Sequence, residues 1–295
     1  MRSPFIQVLR PKHWVKNALI FVPMLAAHRL PQGNNLALLV GAFVSLSFVA
    51  SAFYVVNDIV DVEADRAHPK KNARPIASGA LLPRHAHLLA VSLLMIATLI
   101  GAAVGRDFLL WLALYALVTS LYTFSLKRVV LLDCFVLATL YSLRVVAGGA
   151  VLNIDPSFWL LATSGFLFLS LAFGKRFAEI AVSRELGRET LPGRAYRVDD
   201  APVILAIGVS AAFMSVLVLA LYVNSDAVTV LYRTPLAIWG TVPVLLLWTT
   251  SLWFRLWRGE VSDDPVLFAI RDRVSLLSGL AVALLVVAGE EGWIS

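Results

Sequence analysis

Along this chain, apolar residues run in stretches long enough to cross a bilayer, and a short polar or charged segment ends each one. A transmembrane helix needs roughly 20 predominantly apolar residues. By that measure nine spans are predicted, over residues 15–29, 36–57, 86–104, 108–125, 130–151, 157–174, 201–223, 235–253 and 274–290. No tandem repeat, low-complexity tract or linker interrupts the alternation. The expected architecture is therefore all-α and polytopic, a single transmembrane domain over residues 1–295.

Composition excludes the soluble classes. With 59% hydrophobic and 15% charged residues and a mean hydropathy of +0.81, the chain has too few polar side chains to cover a water-facing surface. One cysteine, Cys134, rules out a disulfide framework or a cysteine zinc site. The first ten residues have no long apolar core or small-residue cleavage site, so no removable signal peptide is expected. Charge then orients the spans. Of the 25 lysines and arginines, Arg144 falls inside span five and only Arg29, Arg106 and Arg233 fall in the loops of one side. All the others lie on the opposite side, which the positive-inside rule makes cytosolic. The N-terminus is then expected in the cytosol of a cell with the chain in its inner membrane, and the C-terminus, with Glu290 and Glu291, outside. The long, charge-rich loops after spans two, six and eight place function on the cytosolic face.

The densest chemistry follows span two: Asn57-Asp-Ile-Val-Asp-Val-Glu-Ala-Asp-Arg. If the helix continues, Asp58, Asp61 and Asp65 stand at i, i+3 and i+7 on one face, within reach of a shared cation. Magnesium takes oxygen ligands and commonly bridges one or two carboxylates to a substrate diphosphate. Asn57, Asp58, Asp61 and Asp65 offer those oxygens, and Arg66, Lys70, Lys71 and Arg74 offer cations for phosphate. The bland alternative is a solvated loop of mixed charge, and three aspartates at helical spacing beside so many cations argue against it.

A second candidate lies after span six, where Gly174-Lys-Arg-Phe-Ala-Glu sets Lys175 and Glu179 at i, i+4 beside Arg176. This is an anion clamp, or else ordinary positive-inside anchoring. Arg144 sits within span five, where a charge costs roughly 2.5–3.5 kcal/mol on insertion scales; it faces substrate or belongs to a structural ion pair. Gly148 and Gly149 permit close helix packing. Tyr122 and Lys127 line the same cytosolic mouth or anchor the interface. The five histidines are scattered, and none is assigned a metal.

These residues resemble the UbiA superfamily of intramembrane prenyltransferases, whose members have nine transmembrane helices, an Asn-Asp-x-x-Asp-x-x-x-Asp motif after helix two and a second acidic motif after helix six. Asn57 to Asp65 matches the first motif without a gap, Arg74-Pro is similar to its basic tail, and Tyr122 to Lys127 is similar to the tyrosine–lysine loop. The second acidic pair is missing. Arg10-Pro-Lys-His-Trp-Val-Lys-Asn, Gly174-Lys-Arg-Phe-Ala-Glu and Asp264-Pro-Val-Leu-Phe-Ala-Ile-Arg-Asp-Arg instead resemble the decaprenyl-phosphate phosphoribosyltransferase branch.

That resemblance implies a UbiA-like bundle and a magnesium-dependent enzyme. Its donor is phosphoribosyl pyrophosphate, its acceptor a polyprenyl phosphate in the bilayer, and its product a precursor of cell-envelope arabinan. It implies Asp58, Asp61 and Asp65 as catalytic residues, with Asn57 joining them on the metal. Lys16, Asn57, Arg74, Tyr122, Lys127, Arg144, Lys175, Arg176 and Glu179 become substrate-binding residues. No nucleic acid is implied, and the oligomeric state, a homo-oligomer included, is left open. Two alternatives stand beside it: a prenyl-diphosphate prenyltransferase with an aromatic or other acceptor, and a transporter or lipid-binding membrane protein that uses the acidic motif for ion coupling.

Overall fold

The computed structural model describes residues 3–28, 34–67, 71–261 and 264–291. Those residues form helices and the loops between them, with one isolated β-bridge joining Thr190 and Arg197. The chain packs as two compact units, one of Met1–Val136 with Leu140–Pro156, the other of Leu137–Thr139 with Ser157–Ser295.

The first unit opens with a short helix α1 (Pro4–Leu9), a 3₁₀ segment (Pro11–Phe21) and a further short helix α2 (Val22–Ala26). The expected span 15–29 is thus not one α-helix within the described residues. Two prolines explain this in part: Pro11 opens the 3₁₀ segment, and Pro23 lacks the N–H that an α-helical bond to Leu19 would need. A 3₁₀ helix rises about 2.0 Å per residue, so this stretch still covers a length close to the roughly 30 Å hydrocarbon core. The apolar length was legible in the sequence, but its tighter winding was not.

Next come α3 (Asn34–Val60), α4 (Val62–Arg66), α5 (Pro83–Val104), α6 (Arg106–Phe124) and α7 (Leu132–Leu152). At 27 residues and 1.5 Å per residue, α3 is about 40 Å long, which carries its last turn beyond the hydrocarbon core. Small residues line its buried face, including Ala42, Ser45, Ser47, Ala50, Ser51 and Ala52, and let α5 approach closely. The Ser45 hydroxyl donates to the Ala97 carbonyl at 2.7 Å across that contact. Leu39, Leu46 and Val49 of α3, Ala97 of α5, Phe108 and Leu112 of α6, and Leu140 and Leu143 of α7 form one apolar core. Gly148 is required there. A Cβ on it would lie 2.0 Å from the Ile20 carbonyl oxygen, so only glycine lets the 3₁₀ segment lie against α7.

The second unit holds α8 (Phe158–Glu185), α9 (Ala201–Val223), α10 (Asp226–Leu231), α11 (Pro235–Trp239), α12 (Thr241–Trp257), α13 (Pro265–Ala269) and α14 (Arg273–Glu291). Its main pair is α8 with α9, where the Ser215 hydroxyl donates to the Thr163 carbonyl at 2.8 Å. Gly208 leaves room for the Trp253 ring, whose indole N–H donates to Ser170 at 3.0 Å. The α8 helix outlasts the expected end of span six at 174 and runs to Glu185. Nothing in Lys175–Glu185 breaks a helix. It stops where Gly187 takes a left-handed conformation, φ 65°, with the Arg188 N–H bonded to the Ser183 carbonyl and the Gly187 N–H to that of Arg184, a Schellman closure.

Among the described residues eight helical stretches are long and apolar enough to cross a membrane, and they correspond to expected spans two to nine. Many of their outward leucines, such as Leu88, Leu99, Leu247 and Leu277, are more than half exposed, as lipid-facing positions are.

Gly148→Ala forces the added methyl against backbone, and overpacking of this kind costs about 1–3 kcal/mol. The expected result is a lowered midpoint of thermal unfolding in detergent, while the neighbouring substitution Ala150→Gly has a smaller effect.

Candidate functional site

The acidic motif is built by the end of α3 running almost directly into α4. The helix breaks at Asp61, yet Asp61 N–H still bonds the Asn57 carbonyl at 2.9 Å and Asp65 N–H that of Asp61 at 2.8 Å. The ladder therefore carries Asp58, Asp61 and Asp65 in helical register, as the spacing predicts.

Their side chains divide between two groups of cations. Asp58, 2% exposed, accepts from Arg10 at 2.5 Å and from Arg74 at 3.0 Å on the same oxygen. Arg74 also donates to Asp65 at 2.6 Å, so it bridges the first and last aspartates of the motif. Asp61 turns instead to Lys127, whose ammonium reaches both of its oxygens at 3.1 Å and the Asn57 amide oxygen at 3.0 Å. In this arrangement no three acidic, histidine or cysteine side chains among the described residues gather closely enough to share one metal ion. The donor set itself suits a hard divalent cation, since all four candidates offer oxygen. Tyr122 is half-buried in the last turn of α6, just before Lys127. Arg66 donates to the Ala77 carbonyl at 3.2 Å and pairs with exposed Glu63, holding the following loop. Lys70 lies outside the described residues.

Arg10 is a member of this site that the sequence does not single out as a candidate. The sequence offered only its place in the Arg10-Pro motif. Its backbone is left-handed, φ 51° and ψ 57°, an unusual state for a residue with a side chain. That turn between α1 and the 3₁₀ segment lays the guanidinium over the Tyr54 ring at 5.0 Å and onto Asp58. Ser51 fixes the turn by donating to the Leu9 carbonyl at 2.8 Å and accepting from the Trp14 indole at 2.9 Å.

Arg144 and Lys16 form a separate group deeper along the helices. Arg144, 7% exposed, donates to the Asn17 amide oxygen at 2.8 Å, the Leu140 carbonyl at 2.5 Å and the Tyr115 hydroxyl at 2.7 Å. Its guanidinium lies over the rings of Tyr115 at 4.8 Å and Tyr141 at 5.3 Å, and Lys16 approaches Tyr141 at 5.7 Å. These partners are neutral, so neither a carboxylate ion pair nor an open face is what Arg144 presents. It ties the 3₁₀ segment to α6 and α7, and Asn17 extends the tie by donating to Ser47 of α3 at 3.0 Å.

In the second unit, Lys175, Arg176 and Glu179 lie on α8 itself rather than in a loop. Glu179 pairs with Arg176 at i, i+3, not with Lys175 at i, i+4. Arg176 is fully buried and lies over the Tyr196 ring at 5.4 Å. Nearby elements carry Asp264, which caps α13 through the Val266 N–H at 3.1 Å, and Asp272. Asp272 pairs with Arg255 at 2.5 Å and accepts from the Ser275 N–H and hydroxyl at 2.8 and 2.9 Å. Burial pushes the Asp272 carboxyl up, but Ser275 and Arg255 together hold it below the ordinary carboxylate value.

Residues 18–288 match the UbiA prenyltransferase family. The chain belongs to that family. It is accordingly a multi-pass membrane protein. Nodulation protein NoeC of Azorhizobium caulinodans is 32% identical over 95% of this chain and 91% of its own length, and uncharacterized protein y4nM of Sinorhizobium fredii is 34% identical over 95% of this chain. The decaprenyl-phosphate phosphoribosyltransferase of Mycolicibacterium smegmatis is 35% identical over 63% of this chain. The chain spans only 54% of the length of the Sinorhizobium protein and 59% of the Mycolicibacterium one. A solved UbiA homologue from Archaeoglobus fulgidus, bound to GPP and Mg2+, superposes with a TM-score of 0.70 over 97% of this chain and 98% of its own at 17% identity, which establishes a shared fold.

Removing Arg74 leaves two buried carboxylates short of a cation, a loss on the order of 3 kcal/mol. Arg74→Ala is expected to lower the unfolding midpoint, and adding Asp58→Asn to it is expected to restore part of the loss in a double-mutant cycle. Asp272 generates a pH dependence. Its folded pKa is depressed, so its stabilisation is present above the ordinary value of 3.8 and is lost as pH falls through the lower folded value. Asp272→Asn should therefore flatten the acid limb of a stability–pH curve.

Proposed function

We propose that this family member transfers the 5-phosphoribosyl group of phosphoribosyl pyrophosphate to a polyprenyl phosphate, releasing pyrophosphate, at the cytosolic face of the membrane. The observation that carries the reading is the polar segment of α8. Where the family resemblance leads one to expect a second acidic pair, this chain has Lys175, Arg176 and Glu179, which suits a donor carrying an additional phosphate. The named phosphoribosyltransferase relatives support it over part of the chain.

In this reading Asn57, Asp58, Asp61 and Asp65 hold magnesium, whose chemistry is to neutralise charge gathering on the leaving pyrophosphate. The remaining work belongs to side chains of the chain. Arg74 and Lys127 meet the donor's phosphate oxygens, with Tyr122 beside them. Lys175 and Arg176 hold the ribose 5-phosphate or the acceptor phosphate, and Glu179 receives ribose hydroxyls. The bond from ribose C1 to the pyrophosphate oxygen breaks with its electron pair leaving on pyrophosphate, and an oxygen of the lipid phosphate forms the new bond to C1. A dianionic phosphate needs no base to take a proton. Lys16 lies with Arg144, whose neutral partners favour a role in shaping the site over contact with substrate.

A second reading, transfer of a prenyl group from a prenyl diphosphate, is favoured by the shared fold with the homologue bound to GPP and Mg2+. Ribose-labelled phosphoribosyl pyrophosphate, incubated with purified protein, polyprenyl phosphate and magnesium, separates the two. Label is expected in the lipid extract, reduced at least about a hundredfold in Asp58→Ala. No labelled lipid, from protein that consumes a prenyl diphosphate, establishes the second reading instead.

A further inference from the structure

Among the described residues, each aspartate of the acid cluster already has a cation beside it. Asp58, Asp61 and Asp65 meet Arg10, Arg74 and Lys127, three negative charges against three positive. Asp58 and Asp65 are only 2% and 4% exposed at their side chains. Placing a bare divalent ion among them adds two uncompensated charges to a poorly solvated place, and the desolvation cost of such charges rises steeply with burial. A metal ion arriving with a diphosphate brings its own negative charge, and the displaced cations then have phosphate oxygens to bind.

We propose that Arg10, Arg74 and Lys127 are exchangeable counter-ions, so that the cluster takes a divalent metal ion only together with a diphosphate, and that Arg10 is the cation that yields first. This rests on the donor-site reading above and adds to it an order and a coupling. The three cations are not held equally. Arg74 bridges two carboxylates, and Lys127, 6% exposed, reaches three oxygens. Arg10 ion-pairs with one oxygen of Asp58 alone, from a left-handed turn at the edge of a short helix. When it leaves, the Tyr54 face remains to receive its guanidinium. Arg10 is thus a positioning residue whose release converts Asp58 from an ion-pair partner into a metal ligand, and the coupling is reciprocal by thermodynamic necessity.

The test is Mn2+ binding to the purified full-length chain, read as loss of the free aquo-ion signal in electron paramagnetic resonance, alongside binding of radiolabelled inorganic pyrophosphate with and without Mn2+. In the wild type, each probe is expected to strengthen the other by at least about tenfold. Arg10→Gln should bind Mn2+ alone at least about tenfold more tightly than wild type, with the coupling correspondingly reduced, while Arg10→Lys stays close to wild type. A merely structural role for Arg10 cannot raise metal affinity. Should Arg10→Gln fail to fold, Arg10→Asn, which suits the left-handed turn, carries the same charge change and the same expectation. Unchanged or weaker Mn2+ binding in the charge-removing variant, or wild-type Mn2+ binding indifferent to pyrophosphate, overturns the exchange. Asp58→Asn separates the two claims: if it keeps wild-type coupled binding, the donor-site reading itself fails. If it loses that binding while Arg10→Gln shows no gain, only the exchange is wrong.

Discussion

An ionised carboxylate held almost wholly out of solvent has to be met by positive charge, and the first unit is arranged around that requirement at Asp58 and Asp65. Arg74 satisfies both from the loop that follows α4, Arg10 reaches Asp58 from the turn after α1, and Lys127 comes from the short 3₁₀ turn after α6 to Asp61. Segments far apart in the sequence are drawn to the end of α3 by their charges. Apolar packing alone does not specify that convergence, because a membrane offers little hydrophobic drive for one helix to choose another. The ion pairs supply the specificity, and they also place carboxylate oxygens and cationic side chains side by side.

A second polar device keeps this arrangement in register. Arg144 is buried among neutral partners, and it joins the 3₁₀ segment through Asn17 to α6 through Tyr115. Asn17 continues to Ser47 of α3, and Gly148 removes the one side chain that would hold the 3₁₀ segment off α7. The same segment begins immediately after Arg10 and carries Trp14 onto Ser51. The mid-helix network and the acid cluster therefore share one structural element.

Much of this was legible from the chain. Among the described residues eight apolar runs form helices, because length and hydropathy suffice to specify a helix able to cross lipid. The register of Asp58, Asp61 and Asp65 followed from their spacing. What spacing could not supply was the direction of each side chain, since that depends on where distant cations arrive. The pairing of Arg10 depends on a left-handed turn with no glycine or asparagine to announce it. The length of α8 was underestimated because charged residues ended the apolar run at Gly174, although Lys175 to Glu185 are sound helix formers and only Gly187 closes the helix. The first expected span keeps its hydropathy but winds as a 3₁₀ segment followed by a short α-helix, which the prolines explain only in part.

In the function proposed above, metal and diphosphate bind together at the charge-balanced cluster at the end of α3. A high-resolution structure of the chain with Mg2+ and a diphosphate tests it most directly. The expected structure has a metal ion held by oxygens of Asp58 and Asp61, with the Arg10 guanidinium withdrawn from Asp58 and Arg74 turned to phosphate. A diphosphate bound elsewhere, with Arg10 and Arg74 still paired to Asp58, would contradict it.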